Sequence, residues 1–487
     1  MTQRTPEPSK YRQLAERIGG ELVVPGDAGY DDARHVWNAM IDKYPAVVVR
    51  AKTTADVAPS LAFARKHRLP VAVRGGGHSI AGHGTVDDGL VLDLSACRDV
   101  VVDAERHTVT VAAGATLHDL DTATAAHGLA VPVGVVSVTG IAGLTLGGGF
   151  GWLTRAHGLT IDSLLSADLV TATGLSVHAS QSENPDLLWA LKGGGGNFGV
   201  VTSFTFRAHP LPAAVLTGNL IYLQSHWATA LPAYADWTST LPDEMTSIVT
   251  AMTPPPNLEL GTRPVIFIGF AWSGLNQQAG QVCLDALTAA APPDIADISP
   301  APWPAWQSAG DSAFPSGVRA YMKNTGLGRL DDTAIATIIQ FAAEQTWEGT
   351  AFNIHHMGGG FRRAGEASTA FPDRHSPYWL SIAGVWSDPA DDGHHIGFVR
   401  RLASAMEPFS TGTQYLNFMA ADADNPTHSG APAAASPVYG AEKLGKLRSL
   451  KLTWDPENVF RLNRNIPPEQ LPIRAPGDVT VHARSHQ

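Results

Sequence analysis

Cysteine is nearly absent: Cys97 and Cys283 are the only two in 487 residues, which excludes a disulfide framework and any cysteine-based zinc site. Positive charge is short as well. Lys and Arg number 34 against 45 Asp and Glu, so the net charge is −11, the wrong sign for a nucleic-acid or anionic-membrane partner. No apolar run approaches the roughly 20 residues of a membrane span. The opening stretch MTQRTPEPSKYRQLAERIGG lacks the apolar core of a signal peptide. There is no G-x-x-x-x-G-K-[ST], which excludes a P-loop NTPase, and there is no internal repeat or low-complexity tail. What remains is the expectation of a soluble, cytoplasmic enzyme, with 44% hydrophobic residues and a length that suits roughly two to three domains.

Glycine, by contrast, is abundant and clustered. Three runs stand out: Gly75–Gly77, Gly147–Gly149 with Gly151, and Gly193–Gly196 with Gly199. Each abuts an ordered segment. AVVVR (46–50) reads as a buried strand, the next segment as a helix capped at Thr54, and LPVAVR as a second strand entering the first glycine run. VVVDAERHTVTVAAG and SADLVTATGLSVHAS, the latter turning at Gly174, alternate as hairpins do. ENPDLLWALK reads as a helix with Asn184 as cap and Pro185 at its first position. Loops without Cβ atoms let N–H groups approach a pyrophosphate. GLTLGGGFG does not follow the first strand of a βαβ unit and lacks an acidic ribose partner, so it is not a dinucleotide fingerprint. Three such runs in one half imply a large, extended, phosphate-bearing ligand.

From about residue 215 the texture changes. Strand-like PVIFIGFAW, AFNIHHM and YWLSIAGVW alternate with helical QQAGQVCLDALTAAA, DDTAIATIIQFAAE and HHIGFVRRLASAMEPF. This predicts a sheet backed by helices on one face. NPTHSGAPAAASPVYG (425–440) reads as a loop crossing back to the first domain. The pair His394–His395 reads as an exposed helix start.

His78 ends the first glycine run, where a cofactor would be its neighbour. Neutral imidazole is a nucleophile near neutral pH. It can attack the C8-methyl group of an isoalloxazine and become a permanent tether. Arg74, at the entrance, would supply charge to a diphosphate.

VRGGGHSIAG, GGGFGWLTRAHGLTIDSLLSADLVTATG, DLLWALKGGGGNFGVVTSFTF and DPENVFRLNRNIPP occur in this order between about residues 40 and 468. Together they resemble the berberine-bridge-enzyme-like FAD-linked oxidases of the vanillyl-alcohol-oxidase superfamily. The resemblance implies an α+β, two-domain PCMH-type FAD-binding fold with an inserted substrate domain of antiparallel sheet backed by helices. The FAD-binding domain would span 1–210, the substrate domain 211–438, and 439–487 would return to the FAD-binding domain. It implies FAD attached through His78. Arg74, Gly75, Gly76, Gly77 and Ser79 would bind the pyrophosphate. Val138, Thr139, Gly143, Leu144, Gly148, Gly151, Trp152, Gly199 and Val201 would line the rest of the cofactor. YLNF resembles the family's Y-x-N-Y strand, placing Tyr415 and Asn417 beside the flavin.

Three departures narrow the expectation. Val136 of GVVSVTG stands where many members carry a second, cysteinyl tether, so a single attachment is expected. Thr139 occupies a position that helps to govern O2 access in the family. In this the chain resembles the bacterial enterocin-pathway type of flavoenzyme, which works through an N5-oxide, and an oxygenase of that type on a polyketide-like substrate is the alternative. Phe418 replaces the tyrosine base of the sugar oxidases, which lowers the case for a carbohydrate. The candidate catalytic residues are His355, Asn353, Tyr415 and Thr139. On a strand, Asn353 and His355 share one face and His356 the other, so the adjacent histidines cannot chelate from one face, and no metal is expected. The resulting expectation is a secondary-metabolism oxidase taking a hydride from a small aromatic or polyketide-like alcohol, amine or phenol-like metabolite and reducing O2 to H2O2. A flavin-binding protein without catalysis is the alternative of another class. The oligomeric state is left open.

Overall fold

The computed structural model describes residues 8–254, 256–421 and 438–469. The apolar run Val47–Arg50 forms a strand whose three valines are fully buried, as suits a parallel sheet covered on both faces. It pairs in parallel with Leu90–Asp93, which pairs in parallel with Val71–Arg74; Glu21–Val23 closes the other edge antiparallel. The helix Val57–His67 makes the crossover. Thr54 is not its cap: a 3₁₀ turn, Thr54–Asp56, precedes the helix, Asp56 occupies the cap position, and Thr53 caps the turn, donating its N–H to Asp56 Oδ2 (3.2 Å).

A second, five-stranded antiparallel sheet contains both expected hairpins, Val100–Asp103 with Thr108–Ala112 and Leu164–Val170 with Ser176–Ser180, joined through Val200–Arg207. Asn184 occupies the cap position of the helix Pro185–Leu191, but at φ +51° its amide donates to His178 O (2.7 Å) and makes no cap bond.

The third sheet has seven antiparallel strands in the order Ile295–Ala301, Val215–Tyr222, Val265–Trp272, Met245–Met252, Thr350–His356, Tyr378–Trp386, Arg319–Leu327. Helices Trp227–Thr238, Gln277–Ala290, Asp332–Glu344 and Asp392–Met406 share an apolar core with it, around Trp227, Tyr234, Phe352, Ile354 and Phe398. Period-two alternation sends Phe352 and Ile354 into that core and turns Asn353 and His355 the other way. The architecture is thus α+β. His394 and His395 lie in the first turn of Asp392–Met406 and His394 is exposed, as expected, but His395 is buried, stacked on Trp386 (4.8 Å, 3°) and bonded to Thr350 Oγ1 (2.7 Å).

The helix Ala441–Trp454 brings the chain back against Pro185–Leu191. Buried Lys451 pins it there, donating to Asn197 O (2.7 Å), Asp455 Oδ2 (2.7 Å) and Phe460 O (3.0 Å). Most of the expected crossing segment, 425–437, lies outside the described residues. No helix among the described residues is long and apolar enough to cross a membrane.

Candidate active site

Glycine loops of the N-terminal half and the helix-free face of the seven-stranded sheet enclose a cavity of about 580 Å³. The first loop leaves strand Val71–Arg74 and crosses residues 139–140 backbone to backbone. A Cβ on Gly76 would lie 2.5 Å from the Gly140 nitrogen, and one on Gly140 would lie 2.4 Å from that of Gly76. Only glycine permits that approach. Gly77, at φ +70°, then turns the chain into His78.

The His78 ring lies against Trp37, with centroids 5.2 Å apart and planes at 21°. Burial pushes its pKa down to about 4, with Asp311 pulling the other way, so the imidazole is neutral at physiological pH. Arg74 stands on the cavity wall, as expected of a cofactor-binding residue, with most of its guanidinium already engaged. Its guanidinium donates to His35 O (2.7 Å) and Ala33 O (2.5 Å) and pairs with Asp93 (3.2 Å). Its charge is therefore already answered, and what it leaves open is a buried Nε with no partner.

Where the second glycine run meets the sheet face, four rings come together. Phe150 packs against His355 (5.0 Å), Tyr415 (4.8 Å) and Phe418 (5.4 Å). His355 is 5% exposed, and burial lowers its pKa to about 3. Its imidazole makes ring contacts to Phe150 and Phe418 and no hydrogen bond among the described residues. Asn353 accepts a hydrogen bond from Thr250 Oγ1 (2.7 Å) across the strand pair. Tyr415 Oη accepts from Gly149 N–H (2.9 Å) and Asn417 Nδ2 (2.8 Å), while burial lifts its pKa to about 12. The YLNF segment is not the strand expected of it. It forms a 3₁₀ turn, Leu416–Phe418, and Asn324 holds the backbone of Tyr415 from both sides (2.6 and 3.2 Å).

The cavity wall brings together Arg74, Gly75–Gly77, His78, Ser79, Thr139, Gly143, Leu144, Trp152, Gly199, Val201, Asn353, His355, Tyr415 and Asn417. Val138, Gly148 and Gly151 are not on it. Val138 is 43% exposed, Gly148 packs under Phe371, and Gly151 lies against the Val133 carbonyl. Sequence reasoning missed Trp37, His83, Asn219, Thr250, Ser381, Asn463 and Arg464, all on the wall. His83 was the most visible of these, being a second histidine in the same glycine-rich loop. Asn219 and Ser381 are single polar residues within apolar strands, and only sheet pairing assigns them a face. Cys97, Cys283 and Val136 separate cleanly: only Val136 lines the cavity. A further cluster, Glu366, Asp373 and His375, lies away from it, with Glu366 paired to Lys443.

A glycine cradle, an orphaned buried Arg74 Nε and a neutral, unbonded imidazole fit FAD. Fold and site together define an FAD-dependent oxidoreductase. Residues 45–180 match the FAD binding domain family, and residues 414–467 match the berberine and berberine-like family. The FAD-linked oxidoreductase YvdP of Bacillus subtilis is 30% identical over 467 residues, covering 93% of this chain and 99% of that protein. The crystal structure of 6-hydroxy-D-nicotine oxidase from Arthrobacter nicotinovorans superimposes with a TM-score of 0.82 at 26% identity, over 93% of this chain and 98% of that one. The glucooligosaccharide oxidase of Acremonium strictum, which carries 6-S-cysteinyl, 8α-N1-histidyl FAD, shares the fold at a TM-score of 0.81 and 23% identity, over 95% and 100% of the two chains. The chain belongs to the berberine-bridge-enzyme-like family of FAD-linked oxidoreductases.

Proposed function

We propose that this enzyme is an oxidase with FAD tethered once, through His78, acting on a small, neutral, aromatic or polyketide-like alcohol or phenol-like metabolite with O2 as acceptor. The observation that carries it is the continuity of the cavity: one wall is the glycine cradle ending in His78, the other the sheet face bearing Asn353 and His355. FAD, when bound, would supply the acceptor for a hydride equivalent from substrate, with O2 as the final acceptor giving H2O2.

The chain's own residues do the rest. The backbone of residues 75–77, Ser79 and Arg74 Nε would hold the diphosphate. Asn417 Nδ2 donates to Leu144 O (3.1 Å) and to Tyr415 Oη, tying the YLNF turn to the glycine-rich wall. His355, neutral and without a hydrogen bond of its own, accepts the proton that leaves the substrate's hydroxyl. Both acceptor sites of Tyr415 Oη are filled by donors, so its own O–H is left to aim at the substrate. Among the described residues no Asp, Glu or Lys lines the cavity, its two arginines, Arg74 and Arg464, donate to backbone carbonyls, and Trp152, Trp306 and Phe314 supply ring surface, which together favour an uncharged aromatic substrate. Thr139, on the same wall, leaves more room for O2 than a leucine would. A second, cysteinyl link like that of the glucooligosaccharide oxidase has no thiol available, because neither cysteine lines the cavity.

Acid precipitation of the parent and of His78→Ala tests the attachment. Yellow colour kept by the parent and lost by the variant is the expected result; colour kept by both would refute the single tether. Screening neutral aromatic alcohols under O2 for H2O2 release then tests the reaction.

A further inference from the structure

What holds the His78 imidazole in place is not a hydrogen bond: among the described residues none is made to its ring. The ring that stacks on it is the indole of Trp37, close to parallel at 21°, while Asp311 acts on it through its charge. Trp37 is itself immobilised. It is 6% exposed, its Nε1–H donates to Phe314 O (3.1 Å), its N–H to Gly77 O (3.1 Å), and its carbonyl accepts from Gly317 N–H (3.1 Å). Asn38 fastens the same segment, donating to Ile80 O (2.9 Å) and Ala320 O (2.9 Å) and accepting from Ala320 N–H (3.0 Å). Phe314 follows the turn Asp311–Ala313, which is anchored by Asp311 accepting from Ser137 N–H (2.7 Å) and Oγ–H (2.5 Å).

We infer that Trp37 is the positioning residue for flavin attachment: its indole face sets the plane of the His78 imidazole while leaving both ring nitrogens open. A hydrogen-bond donor in that place would occupy the lone pair the attack needs. A ring face fixes orientation without doing so. In the attachment a bond forms between an imidazole nitrogen and the 8-methyl carbon, and one C–H and one N–H bond break. The electron pair passes to the isoalloxazine and then to O2, which with the two released protons becomes H2O2.

The inference rests on the His78 attachment proposed above, and the test separates the two. Trp37→Phe, Trp37→Leu and Trp37→Met are purified with their FAD, and total FAD per chain is compared with the fraction that survives acid precipitation. The two aliphatic variants guard against one failing to fold. Both are expected to bind FAD, with the acid-stable fraction lowered about fivefold or more. Phenylalanine, which keeps a ring face without the Nε1 donor, is expected to retain most of it. Unchanged acid-stable FAD in the aliphatic variants would overturn the inference, as would a loss in Trp37→Phe equal to theirs. So would a fall in total FAD that accounts for the whole change, since that marks a purely structural role. Complete release from the parent itself would overturn the attachment first.

Discussion

At the scale of single residues, the imidazole of His355 is the base we propose because the alternatives at hand are occupied or inert. Phe418 has no proton to exchange, Asn353 gives its carbonyl to Thr250, and Tyr415 accepts two hydrogen bonds under a pKa of about 12. His355→Gln is therefore expected to lower kcat about 100-fold or more while FAD content stays unchanged, measured by steady-state H2O2 release. Its pH dependence follows from the direction of the shift. Burial depresses the pKa to about 3, so the ring is neutral at every pH above about 4 and loses its accepting lone pair only below that. The acid limb of kcat/KM should thus be missing near pH 6.5, and the profile flat from about pH 5 to 8. Thr139→Leu belongs to this scale too. Stopped-flow should show slower reoxidation by O2 with an unchanged rate of reduction by substrate.

At the scale of elements, the close crossing of residues 75–77 and 139–140 is the most constrained feature of the cavity. A methyl group at 76 meets backbone, not a movable side chain, at 2.5 Å. Gly76→Ala is expected to cost about 1–3 kcal/mol by denaturant unfolding and to lower bound FAD, because one of the two cradle loops must give way. The strand Thr350–His356 shows why elements were largely legible in advance. Alternation alone separates Asn353 and His355 from Phe352 and Ile354, since successive side chains on a strand point to opposite faces. The YLNF turn shows the opposite case. Four residues carry too little periodicity to distinguish a strand from a 3₁₀ turn, and here the hydrogen bonds of Asn324, 91 residues away, decide it.

At the scale of the whole molecule, the cavity exists because two halves of the chain are joined, and a buried carboxylate lies in the joint. Asp121, on the helix Leu117–Ala125, accepts from Trp303 Nε1 (3.0 Å) and Gln307 Nε2 (3.1 Å), and Gln307 also donates to Gly134 O (3.1 Å) beside the cavity. Burial raises its pKa to about 7, against the pull of Gln307 and Trp303. A raised carboxyl pKa makes its contribution to stability fully present below the unfolded value near 4 and lost as pH rises through 7. Asp121→Asn should therefore gain about 1–3 kcal/mol relative to the parent on going from pH 4 to pH 8, read from denaturation midpoints; a constant difference would refute it. By itself the sequence determined the family motifs, the acidic net charge, the valine rather than cysteine at position 136 and the alternating faces of the strands. These are properties of residue type, period and order. Only the tertiary structure decided that Arg74 spends its charge on Asp93, that Val138 turns to solvent, and that Trp37 meets His78. Each of those depends on contacts between distant segments, and no local propensity encodes which distant segment will arrive.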